Sequence, residues 1–350
     1  MEKFDSPKDP SMPKLHDICT KLDSILKDQK YLLIVLHDNP DPDTIASGWA
    51  FQFLIQNRYG VECKLVYGGL IGRTENHAMV RELKIPLKKI GRIRFSAYDR
   101  IALVDTQPNS GNHSLPDDLY CHIVFDHHPQ RRGTKSDFMV IDPEVGATVT
   151  LVYECLQELG MDIPVDLATA IAYGIRSETQ DLGREASKRD IDAYLAVYSK
   201  TNIRKLAKIT HPKLPRFSFM FLYRALEQAQ IYRHLVCTQL GDIPNPDIVG
   251  EIADMMLRMR GIGWSLCTGR YHRNLILSLR SSNPKAKAGV FIKNLVHNKR
   301  YGGGHDLSAG GKIKLCSHSA EELNEIQNNL LQDFAGLFGY RNVEWKKLIQ

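Results

Sequence analysis

Four ionisable side chains, His37, Asp38, Asp41 and Asp43, fall within the seven residues "HDNPDPD". They follow directly on "YLLIVL", an apolar run that belongs inside a core. Carboxylates crowded against buried surface repel one another, and desolvation adds to the cost. Two further apolar runs end the same way: "RIALVD" closes on Asp105, and "HIVFDHH" on Asp126, His127 and His128. A single aspartate of this kind is readily a turn or helix-cap residue. Three runs with the same ending call for one cause. Divalent cations supply it, because they turn mutual repulsion into shared attraction. Mixed His and Asp donors at this density point to two metals, an arrangement suited to phosphoryl transfer to water.

The spacing of the first motif adds detail. Pro40 and Pro42 alternate with Asp41 and Asp43. Proline fixes φ and biases the preceding residue toward extended geometry, so the segment predicts a stiff, extended loop that aims the two aspartates apart. A helix over 44–59 would then point its first amides at the same region and favour an anionic substrate.

The elements that must position these groups read as an alternation. Residues 1–13 are rich in Pro, Ser and charge and predict a loose tail. Helical spacing marks "LHDICTKLDSILKD", "ENHAMVRELK", "GATVTLVYECLQELG" and "VDLATAIAYGIRS". Strands are expected at "YLLIVL", "VECKLVY", "RIALVD", "HIVFD" and "FMVID". Buried strands alternating with helices predict a parallel α/β sheet, with ligands at the carboxyl ends of its strands.

Composition bounds the rest. A chain of 350 residues suggests two domains, and 43% hydrophobic with 25% charged residues is ordinary for a soluble globular protein. A formal net charge of +6 suits a phosphate-bearing partner. The 7 cysteines are widely spaced without a CxxC, which argues against a disulfide scaffold and a structural zinc site. The first residues lack a signal-peptide core and no apolar run approaches a membrane span, so a cytoplasmic protein without a membrane partner is expected.

In the second half, "SKRDIDAYLAVYSK" and "IRKLAKIT" read as amphipathic helices, and "HPKLPRF" as a boundary. "FSFMFLYRALEQAQIYRHL" reads as a helix leading into the strand "HLVCTQLG", with its aromatics assigned to the core rather than to base stacking. "GIGWSLCTGRYHRNLILSLRSS" reads as a hairpin turning at "YHRN" and ending in Arg280 and Ser281. Without further information, Arg280 serves a phosphate or a surface ion pair equally well. "YGGGHDLSAGGK", Tyr301 to Lys312, carries too many glycines for a regular element and suggests close backbone approach to a phosphate or sugar. Lysines and arginines are scattered, with no long basic tract or repeated aromatic platform, which fits a short substrate better than a polymer.

Together, "HDNPDPDTIASG", "ALVDTQ" and "FDHHP" resemble the first three motifs of the DHH phosphoesterase superfamily, and "YGGGHDLSAGGKI" resembles the glycine-rich signature of its DHHA1 domain. The resemblance implies an α/β fold: a parallel-sheet DHH domain over 14–185, a helical linker over 186–230, and a smaller α/β DHHA1 domain over 231–345. The layout is most similar to the nanoRNase/pAp phosphatase group, relatives of the RecJ exonuclease. That implies a manganese-dependent hydrolase of short oligonucleotides or nucleoside phosphates. Alternatives are a cyclic-dinucleotide, pyrophosphate or polyphosphate hydrolase on the same site, or a non-catalytic nucleotide or nucleic-acid binder.

By the same resemblance, His37 and Asp41 hold one metal, Asp43 and His127 the other, and Asp105 bridges them. His128 faces the phosphate and Asp126 orients an imidazole. A fourth motif reads "YGIRSETQDLGR" here, which places Glu178 where the family has a metal-binding aspartate and leaves Asp181 as the alternative. Thr44, where many relatives carry Ala, is expected to matter little. Arg280, Ser281, Gly302, Gly303, Gly304 and His305 are implied substrate contacts. The cofactors implied are two divalent cations, Mn²⁺ first, with Mg²⁺ or Co²⁺ as alternatives. The family also implies a homodimer.

Overall fold

A computed structural model describes residues 15–349 apart from 92, 184, 284, 297, 305 and 318. The chain divides into two compact units, one ending at Pro212 and one starting at Lys213.

The first unit runs α1 (Leu15–Leu26), β1 (Tyr31–Leu36), α2 (Pro42–Tyr59), β2 (Glu62–Tyr67), α3 (Thr74–Leu83), β3 (Leu87–Lys89), β4 (Arg100–Val104), β5 (Ile123–Asp126), β6 (Phe138–Ile141), α4 (Thr148–Glu158), α5 (Val165–Glu178), α6 (Lys188–Tyr198) and α7 (Ile203–Thr210). Its six strands form one parallel sheet in the order β3-β2-β1-β4-β5-β6. Alternate residues of β1 feed two cores. Leu32, Ile34 and Leu36 pack with the buried residues of the helices. Leu33 and Val35 pack with Leu103, Val124, Leu115 and Cys121 on the other face. Both faces are covered, which is why the strand sequences are apolar without alternation.

Register aligns the strand ends. Leu36 lies opposite Val104, and Val104 opposite Phe125. The next residue of each strand, His37, Asp105 and Asp126, therefore falls in one row at the carboxyl edge.

The loop after β1 is shorter than its prolines suggest. Asp41 is extended (φ −91°, ψ −179°) and caps α2 by accepting the Thr44 amide. Pro42 is already the first helical residue, a position whose N–H would lack a partner anyway. Asp43 therefore sits inside the first helical turn rather than on an extended loop.

The second unit comprises α8 (Arg216–Gln228), β7 (Gln230–Tyr232), β8 (Leu235–Asp242), α9 (Asp247–Leu257), β9 (Trp264–Tyr271), β10 (Asn274–Ser281), α10 (Ala288–Leu295), β11 (Gly302–Gly304), β12 (Ser308–Lys314), α11 (Ala320–Gly336) and β13 (Lys346–Lys347). The sheet order is β11-β12-β10-β9-β8-β7-β13, antiparallel except between β8 and β9. One face packs Leu266, Leu277 and Leu279 against Ile292 and Phe334. The other packs Val236 and Cys267 against Ile252 and Ala225.

Three expectations for this half change. The helix of "FSFMFLYRALEQAQIYRHL" stops at Gln228 and gives way to β7. Its aromatics divide: Phe221 is buried with Ala225 in the core, whereas Phe217, Phe219 and Tyr223 are exposed. The glycine-rich segment does form regular structure, as β11 and β12. Glycine is required there by the close packing of α10. A Cβ at Gly302 would stand 3.0 Å from Val296 Cγ2, and one at Gly311 would stand 2.9 Å from Val296 Cγ1.

Candidate metal centre and active site

Asp105 lies at the centre of the row of strand ends. It directly follows β4 in a left-handed conformation (φ +60°), and its N–H donates to Phe125 O at 2.7 Å. Aspartate tolerates this region better than most residues, and such outliers concentrate at functional sites. The carboxylate is 2% exposed, and imidazoles reach it from two sides. His37 Nε2 lies 3.5 Å from Oδ2, and His127 Nε2 lies 3.7 Å from Oδ1. His37 Nε2 is also 3.6 Å from Asp41 Oδ2. Two triads can each close on one cation: His37, Asp41 and Asp105, and Asp105, His127 and His128.

The ring orientations fit metal ligation. His37 Nδ1 faces the Asp38 carbonyl at 2.9 Å, and His127 Nδ1 faces the Val145 carbonyl at 3.4 Å. A proton held on Nδ1 by a carbonyl leaves the Nε2 lone pair for a cation, as metal-binding histidines require. His128 is turned the other way. Its Nδ1 faces Asp126 Oδ1 at 2.8 Å, and its backbone N–H donates to the same oxygen at 3.1 Å.

The charges without metal reflect the crowding. Burial would depress His37, but its hydrogen bonds to Asp105 and Asp41 outweigh burial and raise it well above 6.5. Burial would raise Asp105, yet its bond to His37 and the charges of His127, His37 and His128 hold it well below the usual range. His128 rises to about 9: burial opposes the shift, while the Asp126 bond and the Asp105 charge overcome it.

Asp43 and Glu178 stand in the same field but outside both triads. Asp43 Oδ2 and Oδ1 accept the Thr148 and Val149 amides at 2.8 and 2.9 Å, so the carboxylate sits on the N-terminus of α4. Burial and the charges of Asp105 and Asp41 raise its pKa well above the ordinary value. Glu178 is raised to about 8 by burial and by Asp41, Asp43 and Asp105. Asp181 points elsewhere: its side chain is 70% exposed and pairs with Arg176. Of these two acids, the structure brings Glu178 to the cluster.

Three residues in the site carry no signature of their own in the sequence. Thr44, expected to matter little, has its hydroxyl against His37 Nε2 and Asp105 Oδ2 and 3.1 Å from Asp41 Oδ1. Thr148 donates its hydroxyl to Asp105 Oδ1 at 2.7 Å and accepts the His127 amide at 3.1 Å. Gln107 Nε2 donates to Asp126 Oδ2 at 2.7 Å, while its Oε1 accepts the Arg131 amide at 2.8 Å. Only the position of Gln107 two residues after Asp105 hinted at its part.

In the second unit the expected substrate contacts gather at one end of the sheet. Arg280 lies opposite Ser308, and Gly304 opposite Ala309. Arg280 Nε donates to Asp254 Oδ1 at 2.7 Å, the ion-pair alternative, and its Nη1 reaches the Leu279 carbonyl at 3.1 Å. Ser281 is buried and donates to the Gly263 carbonyl at 3.2 Å. Gly302, Gly303 and Gly304 form β11. His305 lies outside the described residues.

Comparison with known proteins agrees with this geometry. Residues 31–175 match the model of the DHH family, N-terminal domain, and residues 233–336 match the DHHA1 domain. An uncharacterized protein of Methanocaldococcus jannaschii is 33% identical over 319 residues, covering 90% of this chain and 65% of that one. Proteins named probable manganese-dependent inorganic pyrophosphatase in Streptococcus pyogenes are 26% identical over 152 residues, covering 42% of this chain and 48% of theirs. The matched stretches thus span 65% and 48% of these relatives' lengths. Among solved structures, an exopolyphosphatase-related protein from Bacteroides fragilis superposes with a TM-score of 0.75 at 16% identity, over 95% of this chain and 100% of that one. RecJ of Thermus thermophilus in complex with Mn²⁺ gives 0.51 at 14%, over 92% and 55%. At such identities the superpositions speak for the fold alone. No helix of the described residues is long and apolar enough to cross a membrane. Two domain matches in the family's order, with the Asp105-centred cluster at the sheet edge, make this chain a member of the DHH phosphoesterase superfamily.

Proposed function

We propose that this chain hydrolyses phosphoester bonds of short oligonucleotides or nucleoside phosphates, with two divalent cations, Mn²⁺ foremost. The observation that carries the reading is the convergence of His37, Asp41, His127 and His128 on one buried carboxylate, Asp105. Manganese is favoured by the name of the streptococcal pyrophosphatases and by the mixed imidazole and carboxylate donors.

His37 and Asp41 would hold one cation, His127 with Asp43 the other, and Asp105 would be shared, with Glu178 completing the set. Bound cations of this kind supply an activated water near neutral pH and neutralise phosphate charge. The chain's own groups do the rest. Asp126 orients the His128 ring through Nδ1, and the ring is assigned to donate to a phosphate oxygen. Thr148 and the α4 amides hold Asp105 and Asp43 in place. Arg280, Ser281 and the β11 glycines are assigned to the distal part of the substrate. The likeness to the pyrophosphatases covers 42% of this chain, and the DHHA1 match lies at 233–336, which favours a substrate larger than pyrophosphate.

The test is hydrolysis by chelated and Mn²⁺-loaded protein of a dinucleotide RNA, 3'-phosphoadenosine 5'-phosphate, a cyclic dinucleotide and pyrophosphate. Metal-dependent turnover of the first two supports the reading. Turnover of pyrophosphate or the cyclic dinucleotide alone reassigns the substrate. A protein that binds no metal and cleaves nothing overturns the enzyme.

A further inference from the structure

We propose that Asp38, the ionisable side chain of the first motif that the metal centre leaves unused, is a positioning residue: locked by Ser114 and Gly68, it sets His37 and Asp41 for their shared cation. The inference rests on the two-cation reading above.

Asp38 belongs to neither triad. Its carboxylate instead accepts the Ser114 hydroxyl with both oxygens, at 2.8 and 2.9 Å, from the loop between β4 and β5. Its N–H donates to the Asn112 carbonyl of that loop at 2.6 Å. Its own carbonyl faces His37 Nδ1 at 2.9 Å, the contact that leaves Nε2 for a cation. What anchors Asp38 therefore reaches the His37 ring through the backbone of one residue. An aspartate serving only its own turn would bond an amide two or three positions on, whereas Asp38 bonds Ser114 across 76 positions. The same connection carries Gln107, which donates to Asp126 at 2.7 Å, so one loop holds both the His37 side and the His128 side of the site.

The loop after β2 closes in from the other side. A Cβ at Gly68 would stand 1.9 Å from Asp38 Oδ1 and 2.1 Å from Ser114 Oγ. The Gly68 backbone is not in the left-handed region, so the local conformation does not itself demand glycine. The close approach of the Asp38–Ser114 pair does. The next two residues are held by the same loop. Asn39 donates its N–H to Gly68 O at 3.1 Å and accepts the Leu70 amide on Oδ1 at 2.9 Å. Asn76 Nδ2 reaches Pro40 O at 3.5 Å, the outer limit of a hydrogen bond. Asp38, Asn39 and Pro40 are the whole of the chain between His37 and Asp41, and each is anchored. Two ligands joined by three anchored residues are set for an ion before it arrives.

The test is calorimetric titration of the full chain with Mn²⁺, with thermal melting of each variant in chelator to show that the fold is kept. Asp38→Ala, Ser114→Ala and Gly68→Ala alter three separate segments. Each should weaken one of the two ions about tenfold and spare the other, the low end for a supporting partner because Ser114 is exposed to water. All three break one contact, so Asp38→Ala combined with Ser114→Ala should lose no more than the larger single loss. Asp38→Asn keeps an acceptor for the Ser114 hydroxyl and should retain most of the native affinity. A loss in Asp38→Asn as deep as in Asp38→Ala, with Ser114→Ala silent, would make the carboxylate itself a ligand and overturn the proposal. So would native affinity for both ions in all three alanine variants. A native chain that binds no Mn²⁺ would overturn the two-cation reading, and this inference with it.

Discussion

Gln107 donates its side-chain amide to Asp126 Oδ2 at 2.7 Å, and this bond sets the imidazole beyond it. The other oxygen of Asp126 faces His128 Nδ1 at 2.8 Å. The amide also reaches the carbonyls of His128 and Pro129 at 3.2 and 3.3 Å, so one buried glutamine ties down the whole turn. Gln107→Leu removes every one of these bonds and leaves Asp126 Oδ2 buried without its donor. The expected outcome is a loss of turnover of about 10- to 100-fold, the usual effect of removing a supporting partner. Stability should fall by about 1–3 kcal/mol. Steady-state kinetics and thermal melting check both.

Asp105→Asn keeps the shape of the central side chain and removes its charge. Both metal triads contain Asp105, so both cations should bind more weakly and turnover should vanish. Isothermal titration with Mn²⁺ provides a readout independent of the substrate. Unchanged affinity for two ions would show that the cluster is not the metal site.

The strand ends were legible because an apolar run that closes on acid or imidazole is a strong local signal. The partners of those groups were not legible, because they come from far along the chain. Asp43 meets Thr148 across 105 positions, and nothing near Asp43 announces an α4 amide as its partner. Thr44 looked dispensable beside two aspartates, yet its hydroxyl lies among three ligand candidates. The glycine-rich segment looked irregular because glycine disfavours strands, but β11 lies at the sheet edge, where a side chain at Gly302 would press on Val296 and one at Gly304 on the β12 backbone. The α8 aromatics have core spacing, and only burial could show that Phe221 faces inward while Phe219 and Tyr223 face outward.

Thr148 provides a graded test of the second-layer contacts. Its hydroxyl joins the Asp105 carboxylate to the His127 amide, while its own amide holds Asp43. Thr148→Val keeps the shape and the amide and deletes the hydroxyl. Mn²⁺ affinity should drop about 10- to 100-fold with the Asp43 contact intact. Thr148→Ser should recover most of it. A valine variant with native affinity would show that the hydroxyl serves packing only.

The metal-free protein should lose stability as pH rises. Glu178 in the fold holds its proton to about 8 because burial and three aspartates oppose ionisation, whereas an unfolded glutamate releases it near 4.5. His128 in the fold holds its proton to about 9, because its Asp126 bond overcomes burial, against 6.5 unfolded. In both windows the native state carries more protons than the unfolded state, so stability falls with increasing pH. The melting temperature of chelated protein should therefore decline between about pH 5 and pH 9. Bound cations take over the neutralising role of those protons, so Mn²⁺ should flatten the decline or reverse it. A melting temperature that does not move with pH in chelator would refute the assignment.

The three glycines of β11 should separate into structural and functional positions. Gly304 has φ +146°, and a Cβ there would stand 2.4 Å from both Ala309 Cα and Ser308 O. Those are backbone atoms that cannot swing aside, so Gly304→Ala should destabilise the second unit by about 1–3 kcal/mol. A Cβ at Gly303 would meet nothing within 4 Å, and its backbone is not in the left-handed region. Folding gives no reason for glycine at that position, whereas close approach of a phosphate or sugar would. Gly303→Ala should therefore melt within about 0.5 kcal/mol of the native chain, as an exposed substitution does. Its KM for the substrate found above should nevertheless rise several-fold with kcat nearly unchanged. Equal KM values for native and Gly303→Ala protein would remove Gly303 from substrate binding.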